Sequence, residues 1–307
     1  MKINQLDMQL LNTISNLNGV PDGAVNIRLD GKAVLRNSTP NIKISSKENG
    51  SGLVVEVRPG TRNETVHVPV LLTSGGFVDK VYNTFIVGED SDVTIIAGCG
   101  IHNDSHSNSR HDGIHEIVVK KGARLKYIEK HYGEGSGDGK RILNPTTTVT
   151  VEKGAFAEME MVQIKGVDDT YRSTVATIHE KGSLKIVERL MTHGCQSAES
   201  DISVCIEGKD GSGQVLSRSV AKDESYQVFK AALTGKTECI GHVECDSIIM
   251  DNARIKAIPQ LVAEDSGAIL THEAAIGKIA GEQLIKLMSL GLTEKEAVET
   301  ILAGFLR

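Results

Sequence analysis

The chain has 307 residues, of which 39% are hydrophobic, 24% charged and only 3% aromatic, with no Trp, a formal net charge of −6 and a pI near 6.0. That length can bury a sizeable core as one large domain or two smaller ones, and the acidic balance excludes a dedicated DNA binder, which carries a basic footprint. No apolar run approaches the ~18 residues of a membrane-spanning helix, and the polar start "MKINQLDMQL" has no signal-peptide core, so a cytoplasmic location is expected.

Ile3, Leu6, Leu10, Ile14 and Leu17 recur at helical spacing, which predicts an amphipathic helix over residues 2–17. Short alternating runs rich in Val, Ile and Thr follow: "AVNIRL", "GLVVEVRP", "ETVHVPVLLT", "DVTIIAGC" and "IHEIVV". Each reads as a strand. From about residue 115 a repeat emerges, in which a glycine and a small residue sit in a tight turn between two strands, at Gly122, Gly154, Gly182, Gly211 and Gly235. A period near 30 residues built from strands and turns is the signature of a solenoid, whose units bury their apolar sides only by stacking. Regular turn glycines also fit an antiparallel jelly roll, and periodicity alone does not choose between the two.

Near the C-terminus "GKIAGEQLIKLMSLGL" predicts a helix that stops at Gly291. A second helix starts at Thr293, with Glu296 in capping-box spacing, and carries the stripe Val298, Ile301, Leu302, Phe305. That stripe either packs on the solenoid or docks a partner.

The five cysteines, Cys99, Cys195, Cys205, Cys239 and Cys245, form no CxxC pair and are expected to be thiols. Cys245 lies 27 residues before His272 and 28 before Glu273, close to one repeat. In stacked strands, residues one period apart lie on neighbouring rungs ~4.8 Å apart. A thiolate, an imidazole and a carboxylate are a ligand set for zinc or iron, or the parts of a Cys–His pair. Neighbours on one strand face opposite ways, so His272 and Glu273 reach one point only if the strand has ended. The plain alternative is a buried thiol, a capping histidine and a solvated carboxylate. The stretch "HNDSHSNSRHDGIH" holds His102, His106, His111 and His115, but its Ser, Asn, Asp and Gly content predicts a solvated loop rather than a metal site. "GEGSGDGKR" fails the phosphate-loop pattern at Glu134 and Arg141. Cys205 precedes the Gly-rich turn "GKDGSG" on an apolar strand.

Residues 235–307 closely resemble the end of the SufB/SufD family, the scaffold proteins of the SUF iron–sulfur cluster assembly system. The matching pieces are "CDS" at Cys245–Ser247, the spaced alanines, proline and leucine from Ala253 to Leu261, "HEA" from His272, "EQL" at Glu282, Gly291–Leu292, Glu296–Ala297 and Gly304–Phe305. Seven pieces in order make a specific signal; a looser likeness extends back to about residue 65. The resemblance implies an all-β core, a right-handed parallel β-helix with flanking N- and C-terminal α-helices. That decides against the jelly roll and divides the chain into an N-terminal helix (1–20), a β-helix core (21–275) and a C-terminal helical segment (276–307) that docks an ATPase.

It further implies an assembly scaffold rather than an enzyme. Its partners would be a SufC-like ABC ATPase, a second copy of itself or a paralogous scaffold, a sulfur donor and recipient apoproteins. A transient cluster would be held by Cys245, Glu273 and the adjacent His272, and Cys205 resembles a sulfur-accepting cysteine, displaced by about one residue. Nothing in the sequence supports a flavin. Compared with the family pattern the chain is short at its N-terminus, and it carries "DNARIKAIP" where SufB proteins place a further Cys–His element. Both departures suit a homodimeric single-scaffold system, two copies supplying four ligands at a two-fold axis. Outside the resemblance, the alternatives are a β-solenoid polysaccharide-active enzyme, for which the chain is poor in aromatic platforms, and a cofactor-free interaction platform.

Overall fold

The computed structural model describes residues 3–19, 21–48 and 51–307. Residues 1, 2 and 20 of the expected N-terminal helical segment lie outside them. In chain order the elements are α1 (Gln5–Ser15), β1 (Ala24–Leu29), β2 (Lys32–Asn37), β3 (Ile42–Ser46), β4 (Leu53–Val57), β5 (Arg62–Leu72), β6 (Val78–Val87), β7 (Asp92–His102), β8 (Ser109–Val119) and β9 (Arg124–Glu134). They continue with β10 (Arg141–Leu143), β11 (Thr146–Val151), β12 (Phe156–Lys165), β13 (Asp169–Ile178), β14 (Ser183–Thr192), β15 (Ser197–Ile206) and β16 (Gly211–Ala221). The last are β17 (Tyr226–Gly235), β18 (Cys239–Ile249), β19 (Arg254–Ala263), β20 (Ala268–Gly277), α2 (Gly281–Ser289) and α3 (Glu294–Phe305).

From β4 onward successive strands alternate between two sheets, except that β10 and β11 follow one another in the same one. One runs β2-β1-β5-β7-β9-β12-β14-β16-β18-β20 and the other β19-β17-β15-β13-β10-β8-β6-β4-β3, with β11 beside β13 and β8. Apart from the β1–β2 and β3–β4 hairpins, all pairs are parallel. This is the β-solenoid that the resemblance predicts. Asp92, Arg124, Phe156, Ser183, Ser212, Ile240 and Ile269 stack in one column, each one coil on from the last. The coils begin well before residue 115, where the glycine pattern first shows itself.

The glycine pattern and the turns coincide only in part. In the four-residue turns leading from the second sheet back to the first, the third or fourth residue is left-handed. It is Gly122 (φ 67°) and Gly154 (φ 66°), but Lys181 (φ 55°) and Asp210 (φ 59°) in the next two coils. There the glycine follows the left-handed residue instead of occupying it, and Gly235 ends β17.

Alternation places every second side chain inside. Next to these turns the interior is apolar: Val93, Leu125, Ala157 and Leu184 stack against Val119, Val151, Ile178 and Ile206. Burying an aliphatic side chain of this size contributes about 1.5–3 kcal/mol. Outside the first sheet, α1 lays Leu10, Leu11 and Ile14 over Val25, Ile27 and Leu71. The expected helix over 2–17 is shorter because a reciprocal Asn4–Asp7 capping box starts it at Gln5 and Asn16, left-handed at φ 56°, stops it.

At the C-terminus β20 runs on to Gly277 before α2 begins, and Gly291 (φ 100°) follows that helix. The Thr293–Glu296 capping box forms. Leu302, with Val298 and Phe305 from the same stripe, packs on Val220 and Ile248. No helix among the described residues is long and apolar enough to cross a membrane.

Gly133 and Gly166 are neighbours on adjacent coils, and a Cβ on either would overlap the other's carbonyl oxygen; Gly166 is also left-handed at φ 74°. Gly166→Ala is expected to lower stability by about 2–4 kcal/mol, read as a drop in thermal midpoint. An unchanged midpoint would show that the coils can separate there without cost.

Candidate functional site

The first sheet places Cys245 on the inner face of β18, with Ser217 of β16 on one side and Ala274 of β20 on the other. The thiol is buried at 2% exposure among core residues. Burial pushes its pKa up to about 11, with Glu188 and Asp246 acting in the same direction and Ser247 against them. The fully protonated thiol is therefore the resting form at neutral pH.

His272 pairs with Val243 and so also faces inward, diagonal to Cys245 across the last rung. Its Nε2 is buried and has no hydrogen-bond partner, which is costly for a polar atom unless something binds it. Glu273 pairs with Glu244 and is exposed; because β20 continues past it, alternation turns its carboxylate to the outer face. Within one chain, then, Cys245 and His272 share the interior and Glu273 lies across the sheet from them. Cys205 is on the outer face of β15, with Sγ 3.9 Å from Glu207 Oε1, which also accepts from Lys236 Nζ at 2.9 Å. Burial raises that thiol's pKa, Lys236 opposing. The sheet wall separates Cys205 from Cys245.

β20 and β19 end their sheets with nothing paired beyond them. Cys245 is thus one rung from an open end, and Ala274, the residue stacked on it, is exposed.

A polar seam inside the solenoid leads to this end. Glu188 on β14 accepts from Ser200 Oγ at 2.7 Å, from Ser217 Oγ at 3.3 Å and from Arg172 Nη1 at 3.4 Å. Arg172 Nη2 lies 3.3 Å from His131 Nδ1, and His131 Nε2 lies 2.8 Å from Glu129 Oε1. Arg172, Glu188, Glu129 and His131 are all at most 5% exposed. Further along, Arg28 holds Asp79 through two hydrogen bonds of 2.9 and 3.0 Å, and Asp79 Oδ2 lies 3.3 Å from His111 Nδ1. Sequence reasoning missed this seam. Its signal was present: Glu188 interrupts the inward row Leu184, Ile186, Leu190, and Arg172 does the same on β13.

The histidine-rich stretch also differs from expectation. Only residues 103–108 form a loop; Ser109, His111, Gly113 and His115 are inward positions of β8, and both histidines are buried. The period-2 pattern was there, but with polar residues on its inner side it resembles a loop. Among the described residues no group of three or more His, Cys, Asp or Glu is arranged to hold a metal ion. The "GEGSGDGKR" segment stacks on that loop, with Gly137 and Gly139 donating to the carbonyls of Asn103 and Ser105.

The buried histidines set a pH dependence. Burial lowers His115 to about 4 from 6.5, and lowers His131 as well. Between pH 4 and 6.5 the unfolded chain binds a proton that folded His115 refuses, so stability falls as pH drops through this window and is flat above it. His115 alone accounts for about 3 kcal/mol across the window. Denaturant unfolding at pH 7, 6 and 5 is expected to show a progressive loss, and His115→Gln a shallower one; a flat profile in the native chain contradicts the buried neutral imidazoles.

Residues 72–305 match the family described as SUF system FeS cluster assembly, SufBD core domain. Similar curated proteins include an iron-sulfur cluster assembly SufBD family protein of Methanothermobacter thermautotrophicus strain Delta H, 29% identical over 83% of this chain and 62% of that protein. A SufBD family protein of Methanocaldococcus jannaschii is 30% identical over 78% and 76%. The iron-sulfur cluster assembly protein SufB of Bacillus subtilis is 27% identical over 72% and 47%. The chain thus spans less than two thirds of the length of some of the relatives it matches. With the matched region covering most of the coils and both C-terminal helices, the chain belongs to the SufBD family of the SUF iron–sulfur cluster assembly system.

Proposed function

We propose that the chain is a scaffold on which an iron–sulfur cluster is assembled as cargo at the open end of the solenoid, with Cys245 and His272 as its ligands. The observation that carries this reading is the buried, unpartnered Nε2 of His272, one rung from a thiol and beneath an unpaired sheet edge. Unpaired edges of β20 and β19 invite pairing with another chain, and a second copy offers the same edge, so we take the working unit to be a homodimer. A paralogous scaffold is the other occupant of that edge. Glu273, exposed on the outer face of the edge strand, is the carboxylate a partner can reach.

A thiol held near pKa 11 binds iron only after losing its proton, so metal entry and deprotonation are coupled. Few thiolates with an imidazole and a carboxylate hold a cluster more weakly than four thiolates, which suits a cargo that must leave. The reading does not need Cys205, outside the wall, as a ligand; its role, if it receives sulfur, is at the surface. A SufC-like ATPase docks on the C-terminal helices, where α2 buries no residue and leaves Ile285, Met288 and Leu290 exposed. Nucleotide-driven movement of that partner would shift the dimer between states that cover and uncover Cys245.

Anaerobic reconstitution with iron and sulfide tests the ligand assignment. Cys245→Ala is expected to retain the native circular dichroism, lose at most about 1–2 kcal/mol of stability and fail to develop the visible sulfur-to-iron absorption, while Cys205→Ala develops it normally. A normal spectrum in Cys245→Ala would falsify the assignment. Ile285→Glu is expected to weaken ATPase binding at least about tenfold without changing reconstitution; undiminished binding contradicts docking at α2.

A further inference from the structure

We propose that the small cavity between β8 and β9 is a binding site for one ordered water molecule, which holds His111 and His115 in opposite tautomers. The inference is independent of the cluster-assembly reading. The cavity has a volume of about 20 Å³ and is lined by His111, Gly113, His115, Glu129 and Cys99 among others; a site needs about 10–15 Å³ of such volume to hold a water. Gly113 makes the room. A Cβ built there would stand 2.7 Å from His115 Nε2 and 3.3 Å from His111 Nε2, so the two ring nitrogens converge on the space that a side chain would fill.

The partners on the far sides of the rings decide what fits. Asn83 Oδ1 accepts from the Leu53 backbone N–H at 3.2 Å, which fixes the amide so that its Nδ2 faces His115 Nδ1 at 3.4 Å. That amide nitrogen is a donor, so His115 Nδ1 accepts and the ring's proton sits on Nε2. His111 Nδ1 lies 3.3 Å from the Asp79 carboxylate, outside hydrogen-bonding geometry and with no other partner. The negative charge beside it favours a proton on Nδ1, which leaves His111 Nε2 as an acceptor. Glu129 gives Oε1 to His131, while its Oε2 is buried without a partner. The cavity therefore presents one donor and two acceptors. A water accepting from His115 Nε2–H and donating to His111 Nε2 and Glu129 Oε2 satisfies all three, the usual number for a buried water. A metal ion does not fit, because the protonated Nε2 of His115 has no lone pair to give.

This water joins two networks that the side chains leave separate. Arg28, Asp79 and His111 lie on one side; Glu129, His131, Arg172, Glu188 and Ser217 lie on the other. Together they form one polar line from β1 to the rung beside Cys245, hydrogen-bonded except where His111 faces Asp79 at 3.3 Å.

Long-range proton–nitrogen NMR of the whole chain carrying ¹⁵N-labelled histidine tests the site at pH 7, with His111→Gln and His115→Gln used for assignment. The expected result is His115 protonated at Nε2, His111 protonated at Nδ1, and a cross-peak from the His115 Nε2 proton to a long-lived water. Gly113→Ala is expected to abolish that cross-peak; if the variant does not fold, the native spectrum decides alone. Identical tautomers, an imidazolium at either ring, or no water cross-peak in the folded native chain overturns the proposal.

Discussion

Every strand of this protein except β2 and β3 pairs in parallel with a strand one coil away, and that rung-on-rung register constrains everything else. It fixes the direction of every side chain, because alternation along a strand sends successive residues to opposite faces. It satisfies the backbone of all internal coils and leaves unpaired hydrogen-bonding groups only where the stack ends. It also converts positions about 30 residues apart in sequence into contacts. Polar residues on the inner face are thereby forced to find partners among themselves, and they do: Ser200, Ser217 and Arg172 all converge on Glu188.

The same constraint locates the chemistry. An inward thiol in a middle coil is sealed by coils on both sides, as Cys99 is at 2% exposure between β5 and β9. Cys245 is as deeply buried, but only a single strand, bearing Ala274, lies over it. Its neighbour His272 has an inward nitrogen with nothing to bind. A terminal rung can thus keep a thiol protonated and protected in the free chain, yet open it by a rearrangement of one edge strand. A middle rung cannot. The C-terminal helices sit beside this end, α3 on Val220 and Ile248 of the same sheet, so force applied to them is applied next to the site.

Element type was readable from the sequence wherever apolar residues alternate or recur at helical spacing, as in "AVNIRL" and in the stripe ending at Phe305. The closed solenoid was not, because a jelly roll has the same local pattern; the resemblance over the C-terminal third resolved it. The candidate residues Cys245 and His272 were singled out by type and spacing; the register puts them on adjacent strands but offset by two residues, with Ala274 opposite Cys245 and Val243 opposite His272. Their facing was only half legible. Whether Glu273 shares their side depends on where β20 stops, and nothing local marks Gly277 as its last residue. The seam of His111, His115, Glu129, Arg172 and Glu188 stayed hidden because buried polar residues imitate loops or surfaces in a hydrophobicity pattern. Their burial is made affordable by partners on other coils, which sequence distance conceals.

The central claim is that the cluster site lies at the open end of the stack, on the inner face of β18 and β20. The most direct measurement is a crystal structure of the anaerobically reconstituted protein with anomalous data collected at the iron edge. The account predicts an iron peak within bonding distance of Cys245 Sγ and His272 Nε2, at the contact between two copies or between this chain and a second scaffold. An iron peak confined to another thiol, such as the exposed Cys195, with Cys245 still closed beneath Ala274, would contradict it.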